Sequence, residues 1–170
     1  MNTPTSQRDQ IAQLAKSKNA EAYKKAKDIK DPWFKAQALA HVARYGDDKA
    51  IKYSNEAIKT ADSCDDEYKK VAVLAWVIAA LAETKHLKQA SSLLMDALNK
   101  SKNITPNSSK SEALILLLQA AFKIDVGTAK NVVKTIESAL GNDTHWRCKR
   151  AIKDAKQLIS GEMKPREFFW

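Results

Sequence analysis

A chain of 170 residues with 29% charged and 44% apolar side chains is long enough to bury its own core and lies far from a disordered composition. Four glycines and four prolines are too few for an all-β protein built on tight turns, whereas Ala, Lys and Leu recur throughout and all favour helix. The net charge of +9 permits attraction to nucleic acid or acidic protein, but it is spread out. Residues 1–62 carry 12 basic and 8 acidic side chains, residues 63–141 carry 10 and 8, and residues 145–170 carry 7 and 3.

In chain order, residues 5–17 read as a first helix with Ile11 and Leu14 as apolar contacts. Asn19 is placed to cap a second, bearing Ala22, Ala26 and Ile29 at i, i+4, i+7. Asp31-Pro32 starts a third, because Asp accepts orphan amide protons and Pro is preset for the first helical position; it runs to Tyr45, with Gly46 expected to close it in the left-handed region. Ala50, Ser54, Ala57, Ile58 and Ala61 share one face of a fourth helix, and Asp65-Asp66 cap the next.

That next helix contains Val71–Ala82, twelve consecutive apolar residues. At ~1.5 Å per residue it covers roughly 18 Å, short of a bilayer core of about 30 Å. A helix apolar all round belongs inside a protein. Leu87, Ala90, Leu94 and Ala97 mark a sixth helix, followed by the polar loop Ser101–Ser108 with Pro106 inside it. Ser109 and Glu112 stand in capping-box spacing before a second very apolar run. Asp125 opens an eighth helix that Gly141 closes, and Asp143-Thr144 starts a ninth, through Ile152, Ala155 and Leu158 to Gly161. The remainder ends in Phe168-Phe169-Trp170.

The order repeats. D-P-W-F-K-A-Q-A-L-A at Asp31 returns as D-E-Y-K-K-V-A-V-L-A at Asp66, 35 residues on, so that Lys35 matches Lys70 and Leu39 matches Leu74. Lys110, Leu114 and Leu117 form a weaker copy, and Trp146 marks a fourth. Partner helices carry Ala50/Ala57, Ala90/Ala97 and Ala129/Ile136 at one spacing. Helical hairpins repeated at this period stack because none buries its face alone. From about Asn19 to Ser160 the pattern resembles degenerate tetratricopeptide-like repeats, although Ala38 and bulkier residues replace the usual Gly of the first helix. HEAT-type hairpins are the alternative packing. The resemblance implies a short right-handed α-α superhelix of about nine helices, all-α, whose concave groove serves as a protein-binding scaffold. The expected organisation is a single solenoid domain over residues 1–161 and an aromatic tail over 162–170, whose default role is to cover the last hairpin, with a docking peptide or a dimer contact as the alternatives.

Signals for chemistry are sparse. There is no Gly-rich phosphate loop, H-E-x-x-H or C-x-x-C, and His41, His86 and His145 share no helix face, so no catalytic, cofactor or metal residue is assigned. Cys148, between Arg147 and Lys149, reads as a buried helix residue more readily than an activated thiol. Lys35, Lys70 and Lys110 would form a stripe along successive first helices, able to meet an acidic peptide; the alternative is three ordinary solvated lysines. With His41 and Arg44 on the first of those helices, they are the candidate partner-binding residues. In peptide-binding tetratricopeptide proteins such residues clamp a carboxylate with asparagines, but Leu39 and Leu74 hold the companion positions here. The expectation is therefore a cytoplasmic, non-enzymatic scaffold for a protein or peptide partner, with no cofactor and no membrane partner. Nucleic-acid binding through dispersed lysines is the alternative.

Overall fold

A computed structural model describes residues 3–169. The helices are α1 (Pro4–Ala15), α2 (Asn19–Asp28), α3 (Pro32–Arg44), α4 (Ala50–Ala61), α5 (Glu67–Ala72), α6 (Leu74–Glu83), α7 (Leu87–Ser101), α8 (Asn107–Ala121), α9 (Val126–Leu140) and α10 (Trp146–Ser160). A single 3-10 turn, Asp47–Lys49, precedes α4, and no strand occurs among the described residues. Val73 keeps right-handed helical angles (φ −67°, ψ −22°), so α5 and α6 are successive parts of one rod, giving the nine rods expected.

Local chemistry sets several starts. Asp31 accepts the N–H of Trp33 at 2.9 Å with Pro32 behind it, Asp66 accepts that of Lys69 at 2.7 Å, and Asp125 that of Thr128 at 2.6 Å. Others depart from the sequence reading for tertiary reasons. Asn19 does not cap α2; its side-chain amide donates to the Val42 carbonyl near the end of α3 at 2.8 Å, tying the two helices together. Gly46 sits at φ −86°, and Asp47 takes the left-handed angle instead, φ 46°. Glycine is still required at 46, because a Cβ there would lie 2.9 Å from the Tyr53 ring. Gly141 is right-handed, φ −58°, whereas Gly161, φ 82°, closes α10 in the left-handed way, as Lys85, φ 67°, does after α6 with the His86 N–H donating to the Leu81 carbonyl at 2.8 Å. α8 begins at Asn107, ahead of the Ser109/Glu112 box, and α10 is capped by His145 Nδ1, which accepts from the Arg147 N–H at 3.2 Å.

The helices pack in two sets. In the series α1, α3, α6, α8, α10 each member touches the next, while α4, α7 and α9 each pack between two of them. α6 is therefore contacted by α3, α4, α7 and α8. Every residue from 71 to 82 is buried, as an all-round apolar helix demands. Leu74, Val77, Ile78 and Leu81 each contribute about 1.5–3 kcal/mol by leaving water. The paired alanines of α4 and α7 are also buried, and their small side chains let these rods approach the series closely. No helix among the described residues is long and apolar enough to cross a membrane.

Candidate functional site

The segment after α10 passes over α8 of the last hairpin and runs on beyond it. Gly161 turns the chain, and residues 164–169, with no helix or strand, cross α8 and α6 to reach α3. Phe168 and Phe169 belong to the same apolar core as the helices, 0% and 6% exposed; Trp170 lies outside the described residues.

The contacts run residue by residue. The Arg166 N–H donates to Gln119 Oε1 at 2.5 Å, and its guanidinium lies over the rings of Trp76 at 5.3 Å and Phe168 at 5.2 Å. Glu167 accepts from Lys123 Nζ at 2.8 Å, which holds its carboxyl below the usual carboxylate range. Phe168 meets Trp76 edge-on with centroids 5.4 Å apart, and Phe169 meets His41 edge-on at 4.9 Å, with the Arg44 guanidinium 5.0 Å from its ring. Glu83 ties the floor together, accepting from Arg44 Nε and pairing with Lys123 at 3.5 Å. Trp76 is itself held edge-on by Trp33, which stacks on Tyr68.

The structure treats the sequence candidates unequally. Arg44 is in the cradle. His41 is buried beneath Phe169 with no exposed surface, so it is no surface contact while that ring covers it. Burial, followed by the charges of Arg8 and Arg44, pushes its pKa down to about 3. Lys35 donates to the Lys27 carbonyl at 3.0 Å, where it caps the end of α2, and Lys70 pairs with Glu67 at 2.8 Å. Lys110 is half-buried in the first turn of α8. Two of the three lysines are thus engaged by near neighbours in sequence. Trp76, Glu83, Gln119 and Lys123 were not candidates on sequence, because nothing in their spacing announces a shared partner.

The thiols are not poised for chemistry. Burial raises Cys64 to about 11, and burial with the nearby Asp143 charge raises Cys148. Among the described residues no cluster of His, Cys, Asp or Glu could hold a metal. A second furrow, between α7 and α9, is lined by Leu94, Met95, Leu98 and Val132, with Met95 exposed.

No family model, curated protein or solved structure matches this chain.

Proposed function

We propose that the chain is a non-enzymatic helical-hairpin scaffold that binds an extended segment of a partner protein across α3, α6 and α8. One observation carries this reading: an extended stretch of polypeptide, residues 164–169, already lies on that face, held by a backbone N–H, an ion pair and two seated rings. The pairing α3–α4, α6–α7, α8–α9, with each hairpin against the next, is the neighbour order that stacked helical hairpins require. A short right-handed tetratricopeptide-like solenoid with this face on its concave side is the form proposed for it. Arg44 and Lys123 flank the lone carboxylate Glu83, and this excess of positive charge favours acidic partner segments. The two buried free thiols fit a reducing compartment such as the cytosol.

A library of twelve-residue segments panned against the full chain, and against its Phe168→Ser/Phe169→Ser variant, tests the reading. Selected segments are expected to contain an acidic residue and to lose about tenfold in affinity on Arg44→Glu or Lys123→Glu. Selection of nothing, or binding indifferent to both substitutions, contradicts it.

A second reading, nucleic-acid binding, draws on α10. Trp146 is 59% exposed and stacks on His145 beside Arg147, with Lys149, Arg150, Lys153 and Lys156 exposed along the same helix. Basic residues beside an exposed ring suit single strands. Binding of oligonucleotides with a steep salt slope, lost in Trp146→Ala, would favour this reading; no binding at low salt removes it.

A further inference from the structure

We propose that residues 164–169 are a built-in competitor for the groove, and that the partner presents the chemistry they imitate: an acidic residue followed by two adjacent aromatic residues. This rests on the reading of the α3, α6 and α8 face as a peptide site.

Three observations separate a competitor from a permanent piece of core. First, the anchorage is narrow. Among residues 164–169 only Phe168 and Phe169 are buried, and the polar holds, Lys123 to Glu167 and the Arg166 N–H to Gln119, lie where water reaches them. The segment has no helix or strand bonding to lose, so it can leave without unwinding a helix. Second, the surface it would vacate combines apolar seats with polar side chains. It presents Arg44, Glu83, Lys123, Gln119 and the rings of Trp76 and His41, a few placed polar groups around aromatic walls, as binding sites do. Third, the fit is incomplete. The Trp76 indole is 6% exposed and touches both Arg166 and Phe168, yet its Nε1–H has no acceptor among the described residues. A buried donor left unmet is a standing cost, and a segment that brought an acceptor there would fit better than the tail does.

The contacts also say what that segment carries. Glu167 is held by Lys123, whose other carboxylate neighbour is Glu83, so an acid belongs at this point. The next two side chains enter different seats, one against Trp76 and one between His41 and Arg44. Both seats take flat rings: edge-to-face contact and the Arg44 guanidinium reward a π-system over an aliphatic chain. Because the tail is tethered through Gly161, it acts at an effective concentration of about millimolar and suppresses weak or incorrect segments.

The experiment uses the full chain and a fluorescent peptide spanning residues 161–169, with anisotropy as the readout. Phe168→Ser/Phe169→Ser opens the groove in cis; Glu167→Lys, which changes one exposed charge, is a second opening if the double variant folds poorly. Opened protein should bind the peptide saturably and at least about tenfold more tightly than wild type. A peptide with Ser-Ser in place of Phe-Phe should not bind. A peptide carrying Glu167→Lys should bind weakly to opened protein and recover on a Lys123→Glu background. If library segments bind the groove while this peptide binds neither form, the competitor proposal is wrong and the scaffold reading stands; if no segment of any kind binds, both fall. Concentration-dependent dimers of wild type that vanish in the double variant would assign the seats to a second copy's tail and overturn the partner proposal.

Discussion

Protonating His41 would place a charge in a fully buried ring near Arg44 on its own helix, Arg8 of α1 and Lys16 just after α1, with Asp9 opposing them. Unfolded histidine titrates near 6.5, whereas this one stays neutral until about 3. Between those values the unfolded state binds the extra proton, so stability falls as pH falls through the window. From pH 6.5 to 5.0 the loss should reach roughly 1.6 kcal/mol. Urea midpoints at the two pH values measure it, and His41→Leu should flatten the difference. An equal slope in wild type and variant would mean that His41 is solvated. In the sequence the histidine stood as a candidate partner-binding residue, set between the apolar Ala40 and Val42. That the covering side chain is Phe169, more than a hundred residues away, lies beyond any local pattern.

At the scale of elements, what is local in cause is legible. Asp31, Asp66 and Asp125 cap as read, because an aspartate before a helix meets its first amides whatever surrounds it. Asp66→Ala is therefore expected to lower stability by about 1 kcal/mol, seen as a shift in the denaturant midpoint at unchanged slope. No shift would mean that the α5 start is held by packing alone. The continuous apolar run of 71–82 likewise announced a helix enclosed on all sides. Asn19 and Gly46 were misread for a shared reason: each is an ordinary cap residue whose actual duty is set by a contact or close approach that the local rule does not include, Val42 for Asn19 and Tyr53 for Gly46. Gly141 does close α9, as read. Two lysines of the ladder also serve their own neighbourhood, Lys35 at the end of α2 and Lys70 beside Glu67.

Across the whole molecule, the series of packed helices gathers side chains that sequence keeps apart. Arg44, Trp76, Glu83, Gln119 and Lys123 come from three hairpins and meet only because each hairpin stacks on the last. Their shared occupant is reached across 44 to 47 residues, from Lys123 to Glu167 and from Gln119 to Arg166. The all-helical class could thus be read in the chain, while the cradle could not. In the proposed competition a partner segment and residues 164–169 take the same face in turn. Amide exchange of the full chain, followed while a selected acidic–aromatic peptide is titrated in, tests it most directly. The Arg166 amide, protected by Gln119 in the free protein, should lose its protection in step with peptide binding, while the α9 amides stay unchanged. Saturating peptide with the Arg166 amide still protected would place the binding site elsewhere and contradict the account.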